Sequence, residues 1–143
     1  MAFKKPLRPV KKVFIHCSAS DNPGHDEARV IDRWHKQRGF KGIGYHFFIR
    51  KDGTLEKGRA LWKVPAAQKG HNWGSIAICL HGLNKSLFTV EQFNTLQGLC
   101  EQINEAYKGK ITFHGHKEVS PKSCPVFDYK KVLKLNKRGY LGL

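Results

Sequence analysis

VFIHCSAS, residues Val13 to Ser20, is a short apolar run that opens into small polar residues. That pattern reads as a buried strand passing into a loop. Alternation places Phe14, His16 and Ser18 on one face and Val13, Ile15 and Cys17 on the other. His16 would then emerge at the strand's C-terminal end, where ligand sites in open α/β sheets gather.

Elements of both periods follow. A helix is expected over Asp26 to Arg38, with Val30, Ile31 and Trp34 as its apolar stripe and Gly39 ending it. Tyr45 to Arg59 reads as a hairpin turning at Asp52-Gly53. Ser75 to Gly82 reads as a second buried strand. Thr89 followed by Gln92 is a capping-box start, and Phe93, Leu96, Leu99, Cys100, Ile103 and Tyr107 recur behind it at helical spacing. Ile111 to His116 is a further short strand, and a last basic helix is expected from near Phe127 to just before Gly139. Strands interleaved with helices predict an α/β fold: a single domain with a mixed central sheet flanked by helices. Residues 1–12 are expected to form a basic N-terminal extension and 13–143 the domain proper.

At 143 residues the chain is about one domain long. No apolar run reaches the ~18 residues of a membrane helix, and MAFKKPLRPVKK has neither the apolar stretch nor the cleavage site of a secretory signal. Synthesis in the cytoplasm is therefore expected. Lysine and arginine number 26 against 11 acids, a formal charge of +15. Such a charge favours contact with polyanions and names none of them. Cys17, Cys79, Cys100 and Cys124 form no C-x-x-C pair, which excludes zinc-finger and thioredoxin-type readings.

Among the eight histidines, His25, His35 and His81 lie on or beside predicted elements and read as structural. His16 and His116 sit where strands end. Cys124 follows in GHKEVSPKSC, residues Gly115 to Cys124, in a loop stiffened by Pro121 and Pro125. Two imidazoles and a thiolate suit zinc, and three protein ligands leave a fourth position open, the catalytic arrangement. His114, two residues before His116, competes for the same role on spacing alone.

IHCSAS, RWHKQRGFKGIGYHFFIRKDGTLEKGR, the GHN(x2)SIAICLHG stretch and GHKEVSPKSCP together resemble the zinc-dependent N-acetylmuramoyl-L-alanine amidases, most of all the short phage endolysins among them. The likeness runs from about Val13 to Asp128. It implies a peptidoglycan-recognition-like α/β fold and hydrolysis of the amide between N-acetylmuramic acid and L-alanine. It also implies one zinc ion held by His16, His116 and Cys124, with His114 as a neighbour. Tyr45 and Lys122 correspond to the family's catalytic pair. In the mechanism so implied, water is activated for attack on the amide carbonyl, Lys122 stabilises the oxyanion and Tyr45 orients the water or relays a proton.

His46, His71 and Asn72 are candidate substrate contacts. The loop histidine that the family often carries before its G-x-N motif is Ala67 here. The implied setting is a phage lysin that reaches host peptidoglycan after release and acts as a monomer. Anionic envelope polymers and phage RNA polymerase are its candidate partners. The rival readings are a non-catalytic recognition module, which commonly lacks the cysteine, and a cytosolic muropeptide-recycling amidase.

Overall fold

The computed structural model describes residues 3–142. Five strands form one sheet in the order β3-β2-β4-β1-β5. They are β1 (Lys12–Cys17), β2 (Phe47–Ile49), β3 (Leu55–Lys57), β4 (Ser75–Leu80) and β5 (Thr112–Gly115). β1 lies between β4 and β5 and runs parallel to both. β2 joins β4 in parallel, and β3 pairs antiparallel with β2 across the turn at Asp52 and Gly53. The sheet is therefore mixed, as expected. Gly53 has φ of 88°, a left-handed conformation that glycine adopts without strain.

Both faces of the sheet are covered, which explains why β4, SIAICL, is buried at every position. On one face Val13, Ile15, Ile76, Ile78 and Leu80 pack against Leu96, Leu99, Cys100 and Ile103. Those four belong to helix α2 (Val90–Ala106). On the other face Ala28 and Ile31 of helix α1 (Ala28–Gln37) meet Ile43, Phe48 and Cys79. Phe14 and His16 alternate with Val13, Ile15 and Cys17 and so point to this second face, where the His16 ring lies beside Tyr45.

Two expectations need correction. The buried face of α1 is Ala28, Ile31 and His35, with Val30 and Trp34 at its margin. The cause is His35, whose Nδ1 accepts the Gly44 backbone N–H at 2.8 Å and turns that side inward. The last helix, α3, is only Tyr129–Val132. Lys134 takes φ of 53°, and the chain then returns in a bridge between Leu135 and Leu141, both of which pack on the core. The basic N-terminal segment packs on the domain from Phe3 onward. Phe3 stacks near Phe47 and Tyr107, Val10 is buried, and Arg8 donates from Nε to the Leu61 carbonyl and from Nη2 to that of Ser75.

The capping box of α2 forms as read. The Thr89 hydroxyl accepts the Gln92 N–H at 3.1 Å, and the Gln92 side chain accepts the Thr89 N–H at 3.0 Å. The same hydroxyl donates to the Lys51 carbonyl at 2.6 Å, tying the hairpin to the helix start. Thr89→Ala is expected to cost about 1–2 kcal/mol. The check is urea unfolding, in which the midpoint should fall with an unchanged m-value.

Candidate active site

β1 and β5 deliver two imidazoles to adjacent positions at their C-terminal ends. His16 is the penultimate residue of β1, and His116 opens the short 3-10 turn that follows β5. Gly115 makes this possible, because a methyl group there would collide with the Tyr129 ring. The two imidazole centroids lie 4.6 Å apart. Cys124 arrives on the loop after the turn, where Lys117 N–H bonds the Cys124 carbonyl at 2.8 Å. The Cys17 N–H donates to Cys124 Sγ at 2.9 Å, so the sulfur is held against the end of β1. One ligand atom from each of His16, His116 and Cys124 lies within 4.8 Å of the others.

These residues fit a metal ion on their own chemistry. His16 is 1% exposed, yet its Nδ1 has no hydrogen-bond partner among the described residues, a costly state for a buried polar atom unless something binds it. Burial, and then His116 beside it, push the His16 pKa down to about 3, which keeps the neutral ring that coordination requires. His116 is lowered as well, by burial and by the charge of Lys122. The neighbouring Cys17 thiol and burial raise Cys124, so a thiolate there needs a cation at its side.

His114 lies outside this cluster. Its Nδ1 pairs with Glu118 Oε1 at 2.9 Å and its Nε2 with Thr112 Oγ1 at 2.7 Å. Glu118 also accepts from the Gly115 N–H and the Tyr129 hydroxyl, bracing the turn that carries His116. His25, His35 and His81 are structural, as expected. His25 bonds Ser20 and meets the edge of Trp34, His35 caps Gly44, and His81 bridges Ser18 and the Asn22 carbonyl.

The Tyr45 ring centroid is 5.1 Å from that of His16. Burial, followed by the thiols of Cys79, Cys124 and Cys17, raises its pKa well above the ordinary 10 and keeps the phenol protonated. Lys122 is exposed on the loop between the two ligand-bearing segments, and its charge reaches both His16 and His116.

The three candidate substrate contacts have different placements. His71 is exposed, with its ring 6.5 Å from Phe14. Asn72 turns its Oδ1 inward to accept the N–H groups of Ala67 and Gln68 at 3.0 and 2.9 Å, so it shapes the loop. His46 is buried with both nitrogens committed to backbone, which removes it from any open surface. Its Nδ1 accepts from Ala77 N–H at 3.1 Å and its Nε2 lies 2.8 Å from the Lys63 carbonyl.

Two residues close to the site had no sequence signal. Gln68 is fully buried, and its Oε1 lies 2.9 Å from His16 Nε2. Arg8 braces the loop that precedes Gln68 from the far N-terminus through the Leu61 carbonyl. Both act across more than 50 residues of chain, beyond any local pattern.

Two histidines and a cysteine able to hold a metal thus converge where the parallel strands of an α/β sheet end. Residues 6–127 match the N-acetylmuramoyl-L-alanine amidase family, and the chain belongs to that family. The endolysin of Enterobacteria phage T3 is 37% identical over 133 residues, covering 89% of this chain and 87% of its own. That of Escherichia phage T7 is 38% identical over 125 residues, covering 83% and 82%. Among solved structures, the N-acetylmuramoyl-L-alanine amidase LysC from Clostridium intestinale URNW superposes with a TM-score of 0.79 at 32% identity, covering 89% of this chain and 85% of that one.

The buried histidines predict how stability depends on acidity. Burial lowers the His46 pKa from 6.5 to about 4, against the pull of its bond to Lys63. Above pH 6.5 the ring is neutral in both folded and unfolded chains, and its full contribution is present. As pH falls from about 6.5 to about 4, only the unfolded chain takes up the proton, so stability is lost by about 3 kcal/mol from this group. Urea unfolding measured from pH 7 to 4 should show the decline. His46→Gln should reduce its slope by about one proton.

Proposed function

We propose that this protein is a phage endolysin that hydrolyses the amide bond between N-acetylmuramic acid and L-alanine in peptidoglycan, using one zinc ion held by His16, His116 and Cys124. The observation that carries the metal assignment is the convergence of one donor atom from each of these three residues, together with a buried His16 Nδ1 that has no hydrogen-bond partner among the described residues. Two nitrogens and a sulfur are a zinc-type donor set with room for a fourth ligand. When bound, zinc would supply Lewis acidity to the scissile carbonyl and lower the pKa of a neighbouring water.

The remaining chemistry belongs to the chain. Lys122 is an exposed cation whose charge reaches the cluster, and it stabilises the negative charge that grows on the carbonyl oxygen. Tyr45 is held protonated among the cluster's side chains, so it acts as a hydrogen-bond donor to the attacking water or the reacting amide. His71 and the rest of the exposed loop border the same face and are placed to meet the glycan or peptide. The formal charge of +15 favours approach to an anionic envelope. The protein meets its substrate in the cell wall after release from the cytoplasm that made it.

Purified murein is the substrate for the test. Digestion should release new L-alanine amino termini, stop with a chelator and resume when zinc is restored. New reducing sugars would instead make the protein a glycosidase, and binding without cleavage would make it a recognition module.

Lys122→Ala is expected to lower kcat roughly 10²–10³-fold, and Tyr45→Phe roughly 10²-fold or more. Both variants should still bind zinc stoichiometrically by metal analysis. Full activity in either variant removes that residue from the mechanism.

A further inference from the structure

We propose that Gln68 is a positioning residue that locks the tautomer of His16, and so dictates that His16 offers Nδ1, rather than Nε2, to the metal. The argument starts from the orientation of one amide. Gln68 is 0% exposed, and one end of its side chain lies 3.2 Å from the His71 carbonyl and 2.6 Å from Ser75 Oγ. A carbonyl oxygen can only accept, so the end facing His71 must be the NH₂ group. Ser75 agrees, because its hydroxyl donates to the Asn72 carbonyl at 2.8 Å and leaves a lone pair for the amide.

With the nitrogen end so committed, Gln68 Oε1 faces His16 Nε2 at 2.9 Å. This oxygen can only accept, so His16 must carry its proton on Nε2. The lone pair is then on Nδ1, the buried atom without a partner. The relay is directional throughout: the carbonyls of His71 and Asn72 set Ser75 and Gln68, and Gln68 sets His16. The Asn72 side chain fixes the other end of the loop by accepting the Gln68 N–H at 2.9 Å. A ligand histidine whose second nitrogen donates to a fixed acceptor is oriented and made more basic before the metal arrives.

This inference rests on the zinc site proposed above, and two readouts separate them. The first needs no metal. In zinc-free protein, ¹⁵N–¹H correlation of the imidazoles should show His16 wholly as the Nε2–H tautomer. Gln68→Met keeps the length and burial but removes the acceptor, and it should produce a mixture of tautomers. The second readout is zinc affinity by competition with a chromophoric chelator. Gln68→Met is expected to weaken it roughly ten- to hundredfold.

Gln68→Glu keeps an acceptor toward Nε2. It should retain the wild-type tautomer and bind zinc at least as tightly, which covers the case in which Gln68→Met fails to fold. If the wild-type protein binds no zinc, the metal reading falls. If it does bind, an unchanged tautomer and affinity in folded Gln68→Met overturn the role of Gln68 alone. A Gln68→Glu protein that folds but switches to Nδ1–H or loses zinc overturns it equally.

Discussion

Burying a histidine on the central strand of the sheet imposes a demand that the surrounding structure must answer. In an interior of low dielectric the imidazole cannot be charged, and each of its nitrogens needs a defined partner. His16 meets the first condition by remaining neutral to about pH 3. Its Nε2 meets the second through Gln68, and its Nδ1 is left for the ligand that the cluster with His116 and Cys124 is suited to hold. Strand order follows the same logic. With β1 between β4 and β5, His16 and the turn bearing His116 become neighbours although most of the chain lies between them in sequence.

The site is built twice over, once from strands and once from loops. Parallel strands fix where the chain enters, and their buried residues leave little latitude in register. The loops then close over one face. That formed by residues 66–72 brings Gln68, and that formed by 116–125 brings Lys122 and Cys124. Backbone N–H groups do much of this work: that of Cys17 holds the Cys124 sulfur, and those of Ala67 and Gln68 bind the Asn72 side-chain oxygen and fix the loop. Such contacts explain how a flexible lysine can sit beside a rigid cluster. Precision is needed where donors converge, and mobility is useful where charge develops only during reaction.

Much of this was legible in local patterns. The apolar run of Val13–Cys17, the buried SIAICL strand and the Thr89/Gln92 cap each express a rule that operates within a few residues. All three appear in the structure where they were read. The α1 stripe and the last helix were misjudged for one shared reason. His35 gained a backbone partner nine residues away, and Leu135 found Leu141 across a turn; such contacts override a short periodic pattern. The N-terminal segment shows the same effect, since Phe3, Arg8 and Val10 anchor it through contacts with distant parts of the chain.

By itself, the sequence determined the α/β class, the order of the elements and the residue types able to hold a metal, because periodicity, capping and donor chemistry are properties of short stretches. It left His114 and His116 equivalent by spacing and carried no hint of Gln68. The resemblance to the amidases favoured His116, and the tertiary structure supplies the physical reason by giving His114 to Glu118 and Thr112 and placing the His116 ring beside His16. It alone assigned the proton on His16, because that depends on an amide 52 residues away whose orientation is set by a serine and two carbonyls. Directional hydrogen bonds between distant segments have no sequence period, so they exist as information only once the chain has folded.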